Sequence, residues 1–193
     1  GALTIAFALW PFAELTYASY ELSGFGSPPF PSLADFAWIV GYLPFFVALF
    51  LRFRSLRADL PAGQWKAAVV VFGILTTFSW VYLIAPTIAT TSDWFELFLY
   101  LAYPIGDLLL ALGAVLVVMV LTGGEMSTPW LIIAIAFLIL AFADSLFYYA
   151  DTAGIYIKDA PDLLTAVIDV LYAGSYVILG AGIYIQGRIQ KAF

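Results

Sequence analysis

The chain has 193 residues, of which 64% are hydrophobic and only 10% are charged, and its mean hydropathy is +1.03. Soluble domains contain about 25% charged residues, so this composition argues against a soluble domain and predicts a multi-pass protein of the cell membrane, with the lipid bilayer as a partner. The 13 acidic and 7 basic residues give a net charge of −6, which argues against binding nucleic acid. The absence of Cys and His excludes Cys/His zinc sites and histidine acid–base chemistry.

Six apolar segments are long enough to cross the bilayer as helices, because a crossing needs roughly 20 residues. These predicted helices 1 to 6 are about 2–20, 33–52, 67–85, 94–121, 129–150 and 163–186. Strands of a transmembrane barrel are about 10 residues long and alternate in polarity. These segments are about twice as long and do not alternate. We therefore predict an all-α fold, with residues 1–193 forming a single transmembrane helical domain.

The basic residues predict the orientation, because Lys and Arg are enriched on the cytoplasmic side of membrane proteins. Six of the seven lie on one side of a six-helix topology: Arg52, Arg54, Arg57, Lys66, Arg188 and Lys191. Only Lys158 falls on the other side. Both termini are therefore predicted to be cytoplasmic, with outer loops at about 21–32, 86–93 and 151–162.

Prolines predict kinks or breaks within these helices, because proline lacks an amide hydrogen and clashes with the preceding turn. Pro11 and Pro44 are such positions in predicted helices 1 and 2, and Pro86 lies near the end of predicted helix 3. In predicted helix 4, Pro104 lies one turn before Asp107. Two interpretations of Asp107 stay open: an ion or proton relay, or a protonated carboxyl bonded to a backbone carbonyl that the proline has freed.

An internal repeat relates the predicted helices in pairs. At a constant offset, Phe12, Ala13, Glu14, Glu21 and Gly24 match Phe142, Ala143, Asp144, Asp151 and Gly154. A second pattern has an acid at position i, a Trp, Leu or Tyr at i+3 and a Tyr at i+7. These three positions share one helix face. It comprises Asp35, Trp38 and Tyr42, then Glu96, Leu99 and Tyr103, then Asp169, Tyr172 and Tyr176. We therefore predict three related helical hairpins.

The acids within the predicted helices are the candidate functional groups, since no basic residue lies in a helix interior to pair with them. Glu14, Asp35, Glu96, Asp144 and Asp169 are predicted toward the outer side, and Asp107 lies deeper. A charged Asp at the bilayer centre costs about 2.5–3.5 kcal/mol. These groups are therefore protonated, hydrogen-bonded to hydroxyl groups, or exposed to a water-filled vestibule.

The functional interpretation is an outward-facing pocket for a small ligand of unknown identity. Its acids are Glu14, Asp144 and Asp169, and its walls are Trp38, Tyr42, Tyr172 and Tyr176, with Trp80 and Tyr103 completing the aromatic ring around it. Carboxyl groups among aromatic rings suit a cationic or amphipathic ligand. The structural alternative is that Asp35, Glu96 and Asp169 cap helices while the aromatic residues form an interfacial belt. Glu14 and Asp144 are less easily explained as caps, because they lie toward helix C-termini.

Three segments resemble the multi-pass membrane sensor domains that precede histidine kinase or diguanylate cyclase modules in bacteria and archaea. The segments are AYPIGDLL at 102–109, ADSLFY at 143–148 and DVLYAGSY at 169–176. The resemblance implies a signal-transduction input domain without enzymatic activity, whose last helix continues into a cytoplasmic signalling helix. It also implies a homodimer formed through an output module outside this chain.

The sequence contains no Walker loop, no nucleophile elbow and no helical Lys for a retinal Schiff base, so we expect no cofactor, no metal and no enzyme. The first hypothesis is a ligand-binding sensor domain. The second is a small ion- or proton-coupled transporter that uses Asp107 and Asp144. The third is a structural subunit of a membrane complex, in which the acids meet basic residues of a partner.

Overall fold

The computed structural model describes residues 2–23, 29–56, 62–120, 127–157 and 162–191, and all regular structure within them is helical. The helices are α1 (Ala2–Leu22), α2 (Leu33–Leu56), α3 (Ala62–Ser79), α4 (Ala85–Thr90), α5 (Trp94–Val120), α6 (Ser127–Thr152) and α7 (Leu163–Lys191). A π-helical turn, Trp80–Ile84, joins α3 to α4. The all-α prediction is confirmed. Arg57, Gly24 and Lys158, which were used above, lie outside the described residues.

Five stretches are long and apolar enough to span a membrane. They are Leu33–Ser55, Gly63–Thr90, Trp94–Val120, Ser127–Thr152 and Leu163–Ile189, which correspond to predicted helices 2 to 6. Helix α1 has 21 residues, so it is long enough to cross, but Glu14, Glu21 and its hydroxyl groups make it more polar. The chain is therefore a multi-pass membrane protein with five or six spans.

Several helices extend beyond their predicted ends. Helix α2 continues to Leu56 and α7 to Lys191, because a helix satisfies its own backbone hydrogen bonds wherever its residues lie relative to the apolar layer. The predicted outer loop 86–93 is wrong for the most part. Helix α4 continues to Thr90, and only residues 91–93 separate it from α5.

The prolines affect the helices unequally. Helices α1 and α2 continue through Pro11 and Pro44, so no break occurs there. Pro86 lies in the first turn of α4, directly after the π-helical turn, in which the Ala85 amide donates to the Trp80 carbonyl. A π-helical turn is wider than an α-helical one, so it accommodates the hydrogen bond that proline cannot make.

Five helices form a ring around the apolar core. Helix α1 packs along α2, α2 along α5, α5 along α6, and α6 along α7. Side chains of α7 and α1 close the ring, with the rings of Trp10 and Tyr176 6.1 Å apart. At its centre, Phe45 lies 4.5 Å from Trp10 and 5.1 Å from Phe137, between ring centroids. Aromatic contacts of this kind connect α1, α2 and α6 directly.

The segment from α3 to α4 lies outside this ring. It packs mainly on α5, and the hydroxyl groups of Thr87 and Tyr148 hydrogen-bond α4 to α6. Its outer face is apolar and exposed, including Val69, Val70 and Ile74. Such a face suits contact with lipid.

Candidate functional site

Four carboxyl groups inside the ring accept hydrogen bonds from tyrosine or tryptophan side chains of neighbouring helices. We call this set the carboxyl–tyrosine network. Its acids are Glu14, Asp35, Asp107 and Asp144, and its donors are Trp38, Tyr42, Tyr103, Tyr172 and Tyr176. The network therefore joins α1, α2, α5, α6 and α7.

Glu14 joins the first, second and last helices of the ring. Its Oε1 accepts the indole N–H of Trp38 at 3.0 Å and the hydroxyl of Tyr176 at 2.6 Å. Glu14 lies in the C-terminal half of α1, where the helix dipole disfavours a negative charge. The two donors compensate for that position, which the sequence left without a stabilising partner.

Asp107 and Asp144 form the deepest part of the network. The Tyr42 hydroxyl donates to Asp107 at 2.7 Å, and the Tyr172 hydroxyl donates to Asp144 at 2.5 Å. The carboxyl groups of Asp107 and Asp144 also lie close enough to interact with each other. Two ionised carboxylates at such positions would repel each other, so a proton on one of them would favour this arrangement. The hydrogen bond that the structure gives Asp107 comes from the Tyr42 side chain.

Asp35 combines the two roles that the sequence left open. Its Oδ2 accepts the Ser32 amide at 2.7 Å and the Ser32 hydroxyl at 2.6 Å, as in a capping box at the start of α2. Its Oδ1 accepts the Tyr103 hydroxyl from α5 at 2.7 Å. One carboxylate thus caps its own helix and fixes a neighbouring helix.

The predicted capping role of Glu96 belongs to Asp93. Asp93 precedes α5, and its Oδ1 accepts the amide hydrogens of Phe95 and Glu96, each at 2.9 Å. Asp162 similarly precedes α7, and the hydrogen bonds it accepts from Thr165 lower the pKa of its exposed carboxyl. Sequence reasoning missed both residues, although an Asp directly before an apolar helix is the usual signal.

Two predicted pocket residues do not join the network. Asp169 is exposed and accepts the Tyr156 hydroxyl at 2.8 Å, from the segment that follows α6. Burial and this hydrogen bond raise the pKa of Tyr156. Trp80 lies in the π-helical turn and is 55% exposed, so it is not a wall of the site. Sequence reasoning also missed Tyr156 as the partner of Asp169.

Close packing against glycine positions the aromatic donors. The ring of Tyr42 lies on Gly106 of α5, where a Cβ would come within 2.7 Å of Cδ1 of the ring. This contact places the Tyr42 hydroxyl beside Asp107, the next residue of α5. Trp10 packs on Gly41 in the same way and donates its indole N–H to the Trp38 carbonyl at 3.0 Å. Small residues commonly permit such close approach between membrane helices.

The site is a packed hydrogen-bonding network, and the predicted acids and aromatic walls bind to one another. Asp35, Asp107 and Tyr42 are each less than one-tenth exposed. Among the described residues, no three acids come together in an arrangement suited to a metal ion. The arrangement can hold and exchange protons, and it can change helix packing when one of its hydrogen bonds is replaced.

The comparisons with known proteins add no relative. No protein-family model matches the chain, and the searches of curated proteins and of solved structures return no significant match.

Proposed function

We propose that this chain is the membrane-spanning input domain of a signalling protein. The observation that supports this proposal is the position of α7 in the network. Tyr172 and Tyr176 of α7 donate to Asp144 of α6 and to Glu14 of α1. The same helix has 29 residues, about 44 Å, which exceeds the roughly 30 Å of hydrocarbon in a bilayer. A change in the network would therefore move a helix that extends out of the membrane.

The proposed topology has six crossings, with both termini on the cytoplasmic side and three related hairpins. Arg52, Arg54, Lys66 and Arg188 lie at one end of the bundle, whereas the network lies toward the other. Two equivalent contacts support the repeat. Trp38 donates to Glu14 across the α1–α2 hairpin, and Tyr172 donates to Asp144 across the α6–α7 hairpin.

In the proposed mechanism, an external or membrane-derived ligand with cationic or hydrogen-bonding groups binds a network carboxyl in place of a tyrosine hydroxyl. The displaced tyrosine changes the packing of its helix, and the ligand selects the packing in which the carboxyl is available. Glu14 is the favoured target, because both of its donors come from other helices. Through a homodimeric output module, a shift of α7 would change the activity of that module.

A chimera tests this proposal. Helix α7 is fused in several helical registers to a histidine kinase module, and autophosphorylation is measured in membranes. We expect Tyr176→Phe to change the rate by about fivefold or more, the lower end of typical coupling between sites. Tyr184→Phe is the matched control, because Tyr184 lies on the same helix and is 65% exposed. Identical rates for Tyr176→Phe, Tyr172→Phe and the control, in folded protein, would contradict the input function.

The alternative is a proton-coupled transporter, and the observation that favours it is the closeness of the Asp107 and Asp144 carboxyl groups, each of which accepts a tyrosine hydroxyl. Proton flux into proteoliposomes that is abolished by Asp107→Asn, together with unchanged kinase activity in the chimera variants, would favour transport. The structural-subunit hypothesis has no comparable support, because the network acids find their partners within the chain.

A further inference from the structure

At the end of the bundle opposite the network, two buried N–H groups have no acceptor within the described residues. They are Nε of Arg52, near the end of α2, and Nε1 of Trp130, in the first turns of α6. The guanidinium carbon of Arg52 lies 5.4 Å from the centroid of the Trp130 ring, and Trp130 is only 3% exposed. Buried donors without acceptors are costly, and a charged one is costlier still. An acceptor from outside the described residues is therefore expected at this position.

The chemistry of the pair indicates a phosphate. A guanidinium presents a planar fork of donors that matches phosphate oxygens, and the face of the Trp130 ring supports its charge. The amino end of α6, a helix of 26 residues, adds positive potential at the same place. Exposed Arg54 and Lys66 make this end of the bundle basic.

The depth of Arg52 indicates that this phosphate belongs to a lipid. The apolar span of α2 ends at Ser55, so Arg52 lies just inside the boundary of the hydrocarbon layer. The phosphate groups of phospholipids lie at that boundary, and basic sites between membrane helices bind anionic headgroups. A free phosphate ion would have to leave water to reach the buried Nε.

We propose that Arg52 and Trp130 form a binding site for the phosphate of an anionic phospholipid. This site is separate from the carboxyl–tyrosine network and does not depend on the function proposed for it. The lipid accepts hydrogen bonds from the guanidinium and the indole, and it fixes α2 to α6 at the membrane surface.

Native mass spectrometry of the full chain in detergent tests the proposal, with phosphatidylglycerol and phosphatidylcholine as competing probes. We expect the wild-type protein to retain phosphatidylglycerol preferentially, and Arg52→Gln to lower its affinity about tenfold, as for the loss of one hydrogen bond to a charged group. Trp130→Phe keeps an aromatic ring, although a smaller one, and removes the N–H, so it should weaken binding by a smaller factor. Arg54→Gln is the matched control, because Arg54 is exposed on the same helix, and it should bind like the wild type.

Four outcomes would overturn the proposal. The first is a wild-type protein without preference for phosphatidylglycerol, a result that does not depend on how any variant folds. The second is displacement of the lipid by inorganic phosphate at equal concentration, which would identify a site for the free ion. The third is equal binding of phosphatidylglycerol by the wild-type protein, Arg52→Gln and Trp130→Phe. Asp59→Asn and Glu125→Gln serve as further variants, since these acids are near in sequence and lie outside the described residues. The fourth is a melting temperature in detergent that either of these variants lowers as much as Arg52→Gln does, while added phosphatidylglycerol leaves the wild type unchanged, which would identify a side chain as the acceptor.

Discussion

Every carboxyl of the network is held by neutral donors, since the hydrogen bonds that it accepts come from hydroxyl groups, an indole and, at Asp35, a backbone amide. Hydrogen bonds between membrane helices contribute about 0.6 kcal/mol on average and at most about 1.7 kcal/mol, because the unfolded chain in the membrane also finds partners. The network therefore adds only moderate stability. It strongly favours one arrangement of the helices, because each donor reaches only one acid. Such interactions can be exchanged for those of a ligand more readily than a buried ion pair.

Tyr42→Phe tests the deepest of these bonds. The substitution removes the hydroxyl that donates to Asp107 at 2.7 Å and leaves the ring on Gly106. We expect the free energy of unfolding in detergent to fall by about 1 kcal/mol. Tyr184→Phe, on the exposed surface of α7, should leave it unchanged. A Tyr42→Phe protein as stable as this control would show that the hydroxyl has no net role in stability.

The residues of the network could be predicted from sequence, but their pairing could not. An acid without a basic partner in an apolar helix identifies Glu14, Asp107 and Asp144, because burial of a charge demands a donor. Which tyrosine supplies it depends on the rotation and order of the helices, which hydrophobic periodicity does not determine when nearly every face is apolar. Asp169 shows the limit, since its spacing to Tyr172 matches the pattern and yet it bonds to Tyr156.

At the level of the helices, the ring of helices depends on a few close contacts in which a glycine of one helix lies against a side chain of the next. Gly106 and Gly41 let the rings of Tyr42 and Trp10 lie on the backbone of the facing helix. Gly182 of α7 similarly faces Ile133 of α6, where a Cβ would come within 2.8 Å of Cγ1. These positions set the separation of the helices and therefore the reach of the network donors.

Gly106→Ala is predicted to separate α2 from α5. The added Cβ would lie 2.7 Å from the Tyr42 ring, so the ring must move and its hydroxyl leaves Asp107. We expect a loss of about 1–3 kcal/mol in the free energy of unfolding in detergent. Gly73→Ala is the control, because nothing lies within 4 Å of its Cβ on exposed α3, and alanine is the better helix former. Equal stability of the two variants would contradict the close-packing argument.

The positions of the helices were predicted well because long apolar segments leave no other choice in a bilayer. The junction between α3 and α4 was not predicted, since Pro86 indicated an interruption but not its form. The peripheral position of α3 was not predicted either, although the sequence contains a signal for it. Predicted helix 3 is the one without an acid, so it has nothing to contribute to a network inside the ring.

For the whole molecule, the orientation in the membrane can be tested by cysteine labelling. The chain has no cysteine, so any introduced thiol is unique. Ser55 at the end of α2 and Thr152 at the end of α6 are both exposed. In intact cells we expect a membrane-impermeant maleimide to label Thr152→Cys and not Ser55→Cys. After lysis both should react. Labelling of Ser55→Cys in intact cells would reverse the proposed topology.

The closed ring has a consequence for how this chain could be rearranged. Because α7 meets α1 through Tyr176, Trp10 and Glu14, the order α1, α2, α5, α6, α7 is circular in space although it is linear in sequence. A circularly permuted gene that joins α7 to α1 and starts at another hairpin would keep every helix-to-helix contact of the ring. The starting point of translation would then not affect the architecture that the hairpins assemble.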